Sequence, residues 1–164
     1  MIWRHLLVLA GAFALTACQH VPQSSEAADR AAIHRLLVEY GTTLDARDFD
    51  GFASLFAREG RYIAGTGEGV SGAEAGEMMR QVFAENALGF GEPNYHLFFN
   101  EIVNLTGPDS AAATSMSLYM VPGQDGAPVP AMMARYEDQL VREQDQWKFA
   151  RRVVQALMPP PRAR

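Results

Sequence analysis

Among the side chains able to move a proton near neutral pH, one histidine stands in a setting that suits it. The 164-residue chain has four histidines. His5 lies in an apolar leader, and His20 and His34 read as solvent-facing. His96, at the head of a strand-patterned run, is therefore the candidate acid/base. Asp45 is the candidate carboxylate. A carboxylate bonded to one imidazole nitrogen fixes the tautomer and makes the other nitrogen more basic. Such a pair suits abstraction of a proton next to a carbonyl, or activation of a water. Each residue also has a plain structural use. Asp45 could end a helix or cap the next, and His96 could be a strand histidine bonded within the core. The two are remote in the chain, and spacing alone does not bring them together.

Strand alternation puts His96, Phe98 and Asn100 on one face. Asn100 would then donate to a substrate oxygen or satisfy backbone at a sheet edge. Tyr40 and Tyr136 would line a pocket with their hydroxyls or sit in the core with those hydroxyls bonded. Met78, Met79, Met116, Met120, Met132 and Met133 suit an adaptable apolar pocket, and equally plain core filling. Cys18 is the only cysteine, so no intramolecular disulfide and no cysteine zinc site is expected. One convincing histidine and scattered carboxylates predict no metal site. The Gly65–Gly69 loop lacks the lysine of a phosphate loop, no Gly-x-Ser-x-Gly elbow occurs, and no organic cofactor is expected. A net charge of -5, with no basic run outside the tail carrying Arg162 and Arg164, argues against nucleic acid.

These residues need elements to hold them. Ser25 reads as an N-cap, with Glu26 and Asp29 in the first turn, and Ile33, Leu36, Leu37, Tyr40 and Leu44 recur at helical spacing. That helix ends near Gly41 to Asp45. Asp48 caps a short second helix carrying Phe49, Phe52, Leu55 and Phe56. Arg61 to Ala64 predicts a short strand. Ser71-Gly72-Ala73-Glu74 is a capping box, followed by the stripe Ala75, Met78, Met79, Val82 and Phe83 of a third helix. After Pro93 the pattern turns to strands over Tyr95–Leu105, Ala112–Val121, Met132–Arg142 and Trp147–Leu157. Helices first and long antiparallel strands after make an α+β domain, its sheet curving around the helices.

The N-terminus carries a separate signal. Arg4 precedes the uncharged apolar run Leu6–Leu15, and Leu15-Thr16-Ala17-Cys18 has the pattern of a lipobox. Residues 1–17 are therefore expected to be a lipoprotein export signal, with Cys18 as the lipidated residue. The apolar run is too short for a stable membrane span, whereas several acyl chains on Cys18 would anchor the protein. No Asp follows Cys18, which suggests the outer membrane, facing the periplasm. The expected layout is a tether over 18–25, one domain over 26–158 and a Pro/Arg-rich tail over 159–164.

The segment from Tyr40 to Phe56, the run Asn94-Tyr95-His96 through Asn100, and the closing Tyr136-Glu-Asp138 and Trp147 to Arg152 resemble SnoaL-like proteins of the nuclear transport factor two-like superfamily. The resemblance spans about residues 28–155 in order. It implies a cone-shaped curved sheet wrapped around N-terminal helices, an open end that admits a small apolar molecule, and a homodimer. It also implies that Asp45 and His96 meet, because scytalone dehydratase-like members carry an Asp and a His at these positions. Their second pocket His would fall near Gly123, and here there is none. Ketosteroid isomerases carry a Tyr at the position of Tyr40, but their catalytic Asp would fall at Ala64. The fold hosts dehydratases, isomerases and hydrolases as well as non-catalytic domains. Two readings follow: an acid–base enzyme using Asp45 and His96, with Tyr40, Phe98, Asn100 and Tyr136 positioning substrate, or a binding or assembly domain at the envelope.

Overall fold

The computed structural model describes residues 23–65, 67–86 and 89–158. The export signal, Cys18 and the 159–164 tail lie outside them. Three helices, α1 (Gln23–Asp45), α2 (Phe49–Ser54) and α3 (Gly72–Glu85), lie against a six-stranded sheet of β1 (Phe56–Ala64), β2 (Val70–Ser71), β3 (Tyr95–Gly107), β4 (Ser110–Pro122), β5 (Pro128–Glu143) and β6 (Gln146–Ala156). The strand order is β2-β1-β6-β5-β4-β3. The architecture is α+β, as expected. One pairing is not: β1 runs parallel to β6, so the sheet is mixed rather than wholly antiparallel.

The apolar stripe of α1 is the core. Ile33 and Leu37 are wholly buried, with Leu36, Tyr40 and Leu44 nearly so. Around them pack Phe52, Phe56, Tyr136 and Phe149. Helix periodicity thus translates directly into burial, the main source of stability for such a helix. The sheet bends around this core through register shifts between β3 and β4 at Phe99/Ile102, between β4 and β5 at Tyr119/Met120 and between β5 and β6 at Gln139/Leu140. Each shift adds local twist and lets a long strand change direction.

Local signals fix the helix starts. The Asp48 side chain accepts from the Gly51 backbone N–H at 2.8 Å. Ser71 and Glu74 form both halves of a capping box. Ser25 is not an N-cap, because α1 already begins at Gln23, and the last three residues of the expected tether are helical. Leu55 terminates α2, and Phe56 opens β1, which is longer than the sequence pattern predicts. Strand β5 starts at Pro128, inside what reads as a Pro-rich loop. Residues 128–130 pair with β4 alone, since the β6 pairing begins at Ala134. A strand open on one side tolerates prolines. At the N-terminal end of α1, Asp29 accepts from Arg142 Nη2 at 2.5 Å and from Trp147 Nε1 at 3.2 Å, tying the helix to the β5–β6 hairpin. None of the described helices is long and apolar enough to cross a membrane.

Candidate active site

A cavity of about 410 Å³ opens beside the C-terminal end of α1. One wall is apolar and comes from α3: Met78, Met79, Val82 and Phe83. The facing wall and floor carry Tyr40, Tyr62, His96, Tyr119, Met132 and Tyr136. Alternation explains the floor, because β1, β4 and β5 turn every second side chain inward.

Asp45 and His96 meet here. The His96 Nδ1–H donates to Asp45 Oδ1 at 2.6 Å, and the His96 backbone N–H donates to Asp45 Oδ2 at 2.9 Å. One carboxylate therefore holds both the ring and the strand that carries it. Both side chains are mostly covered, His96 at 7 % exposure and Asp45 at 15 %. With Nδ1 committed to Asp45, Nε2 is the nitrogen left to exchange a proton, and His96 lines the cavity. The close approach of α1 to β3 is made possible by Gly41. A Cβ there would lie 2.9 Å from His96 Cβ and 2.7 Å from Phe98 Cε2.

The other expected residues divide. Tyr40 and Tyr136 line the cavity, and both are buried. The Tyr136 hydroxyl is bonded to Ser117 Oγ at 2.9 Å. Burial raises both phenols above their ordinary range, so they are neutral hydrogen-bonding groups. Phe98 faces inward but is not part of the lining; its ring packs on Tyr40 and Tyr136. Asn100 is a correction. It is exposed, with φ +53°, at the β3 register shift, and its Nδ2 lies 3.8 Å from Met116 Sδ. The extra residue breaks the alternation after Phe98, so Asn100 does not share the face of His96. Of the methionines, Met78, Met79 and Met132 reach the cavity. Gly123 lies outside the lining, whereas Ala64 is part of it.

Sequence reasoning missed several groups. Tyr62 lies on the floor, and burial pushes its phenol up to about 12. Arg152 and Asp138 are both 0 % exposed and paired at 3.1 Å. The Arg152 guanidinium lies 4.0 Å from the Tyr40 ring, 4.2 Å from Tyr136 and 4.5 Å from Phe149, and its Nε and Nη2 have no protein partner. A buried cation amid aromatic faces gains from their quadrupoles. Inward alternation of β6 was the only available signal, and an arginine on a core face is easily read as solvent-exposed. Arg47, in the turn between α1 and α2, also lines the cavity. Among the described residues no three His, Cys, Asp or Glu side chains cluster to hold a metal ion.

The SnoaL-like domain family matches residues 25–153. No curated protein matches the sequence. Among solved structures, a protein of Novosphingobium aromaticivorans described as nuclear transport factor two-like with a cystatin-like fold superposes with TM-score 0.71 at 21% identity, over 85% of this chain and 88% of that one. A scytalone dehydratase-like protein of the same organism gives 0.70 at 21% identity, over 87% and 94%. A hexachlorocyclohexane dehydrochlorinase of Novosphingobium barchaimii gives 0.67 at 17% identity, over 87% and 97%. At these identities the superpositions speak to the fold.

Proposed function

We propose, for a chain that belongs to the SnoaL-like domain family, that it is a cofactor-independent acid–base enzyme acting on a small, largely apolar molecule held in its cone. The observation that carries this reading is the Asp45–His96 pair at 2.6 Å, with His96 on the wall of a cavity whose interior is lined mainly by methionine, aromatic and aliphatic side chains. Elimination is the reaction class that fits best. His96 Nε2 takes a proton from carbon, the C–H electron pair becomes a double bond, and the leaving group departs with its bonding pair. Asp45 holds the ring and stabilises the imidazolium that forms. Neutral Tyr40 and Tyr62 supply hydrogen-bonding groups on the floor, and buried Arg152 places positive charge beneath Tyr40 and Tyr136. Two of the similar structures belong to proteins named for removal of water or of hydrogen chloride, which accords with this class.

The test is turnover by the full chain. A β-hydroxy ketone such as 4-hydroxy-4-phenyl-2-butanone is followed by enone absorbance, and hexachlorocyclohexane by chloride release. His96→Ala is expected to lower the rate by at least about 10²-fold, the usual worth of a positioned general base. Rates no faster than buffer for the whole panel, or an undiminished His96→Ala, would remove the catalytic reading and leave a binding cone.

The same proposal places the protein at the cell envelope, held by lipid on Cys18 and facing the periplasm of the outer membrane. It also makes the protein a homodimer. In support of a dimer, Tyr95, Leu97 and Ile102 are more than half exposed along one side of β3, an apolar strip of the kind that subunit contacts cover.

A further inference from the structure

The mouth of the cavity is not apolar all round. Arg47 sits there with φ +60°, a conformation that non-glycine residues rarely adopt. Its Nη1 donates to the Leu44 carbonyl at 2.9 Å and to Asn94 Oδ1 at 3.1 Å, and its guanidinium lies 4.0 Å above the Phe83 ring. Its Nη2 donates to Glu92 Oε1 at 2.6 Å. The contacts with Leu44, Asn94 and Phe83 hold the guanidinium against the fold. The fourth comes from a side chain that is itself 69 % exposed, while Arg47 is 29 % exposed. Arg47, Asn94 and Tyr119 form one polar corner of the lining, facing the apolar wall of α3.

We infer that Arg47 is a specificity-determining residue that receives a carboxylate of the ligand in exchange for Glu92. The inference rests on the cavity being a ligand site, and it narrows the ligand to an amphiphile with an apolar body and one anionic end. Three points carry it. Glu92 shows that a carboxylate oxygen fits at Nη2 with good charge-assisted geometry. A pair so open to water is weakly held, so exchange costs little. The Phe83 face and the Leu44 carbonyl keep the guanidinium in place when Glu92 swings out, so the site is preorganised for the newcomer. Asp45 and the exposed Glu85 also lie near the mouth and oppose an anion. Asp45 is already engaged by two N–H donors of His96, which spread its charge, and Glu85 is solvated. The ligand carboxylate would sit at the mouth while the apolar body extends along Met78, Met79 and Val82 towards His96.

The experiment is calorimetric titration of the full chain with trans-cinnamate and with trans-cinnamamide, which has nearly the same shape and no charge. Cinnamate is expected to bind about tenfold more tightly, the order of one charge-assisted hydrogen bond. Arg47→Gln is expected to erase that preference, so that acid and amide bind alike. Glu92→Gln, which removes the internal competitor, is expected to widen the preference for cinnamate over the amide severalfold. Arg47→Lys keeps the charge without the planar fork and retains part of the preference, which covers the case of a poorly folded glutamine variant. Equal binding of acid and amide, or a preference that survives Arg47→Gln, overturns this inference and leaves the cavity reading standing. Failure of both probes to bind at millimolar concentration overturns both.

Discussion

Gly41 provides a perturbation in which two sizeable effects have opposite signs. It lies within α1, where replacing glycine by alanine ordinarily stabilises a helix by about 1 kcal/mol. Here the added methyl would stand 2.7 Å from Phe98 Cε2 and 2.9 Å from His96 Cβ. The Phe98 ring can tilt, but His96 Cβ is rooted in the backbone of β3 and moves only with the strand. Overpacking of this kind costs roughly 1–3 kcal/mol, and displacing β3 also stretches the His96 backbone N–H bond to Asp45, worth about 1 kcal/mol more. Gly41→Ala should therefore lose about 1–3 kcal/mol net. Urea unfolding of variant and parent gives the sum, and amide hydrogen exchange at His96 reads the strand displacement separately. A variant more stable by about 1 kcal/mol, with His96 exchange unchanged, would show that helix propensity wins and that Gly41 does not set the approach of β3 to Asp45.

Three further outcomes are expected. Burial pushes the Asp138 carboxyl up to about 6, the charge of Arg152 pulling it back only in part. The folded state thus holds a proton that the unfolded chain, near its ordinary 3.8, has released, so this group's contribution is full below that value and is lost as pH rises through about 6. Denaturant unfolding between pH 7 and pH 5 should show the parent gaining about 1 kcal/mol relative to Asp138→Asn; parallel pH profiles would contradict it. If the proposed dimer forms through β3, Leu97→Asp, a charge placed on its exposed strip, should halve the mass in light scattering without loss of helical signal; a monomeric parent would contradict the dimer, and an unchanged dimeric mass would contradict the β3 contact. Cys18→Ala should move the protein from the membrane to the soluble fraction of the cells that express it, and persistent membrane association would exclude acyl anchoring.

Much of the fold is written in short-range pattern. The stripe from Ile33 to Leu44, the Asp48 cap and the Ser71–Glu74 box are local devices, and each stands where its chemistry predicts. The errors arise where tertiary context overrides a local rule. Asn100 follows the period of two on paper, but the register shift at Phe99/Ile102 carries it to the outer face, and nothing in Phe-Phe-Asn-Glu announces that extra residue. Pro128 and Pro130 read as a loop because prolines cannot donate, yet β5 is open on one side there. Asp45 and His96 were linked through family resemblance, since pairing across α1 and β3 depends on the long-range approach that Gly41 permits. Arg47 and Arg152 were illegible for a related reason: a charged side chain reads as solvent-facing, whereas one is folded over Phe83 at the cavity mouth and the other is sealed among aromatic rings.

The most direct probe of the whole account is the tautomer of His96, read by long-range nitrogen–proton correlation in imidazole-¹⁵N-labelled protein with the ring neutral. A base held by Asp45 must carry its proton on Nδ1 and present a bare, pyridine-like Nε2, and that single tautomer is the predicted result. A protonated Nε2, or averaging between the two forms, would mean that Asp45 does not hold the ring, and the cone would then have no base to offer a substrate.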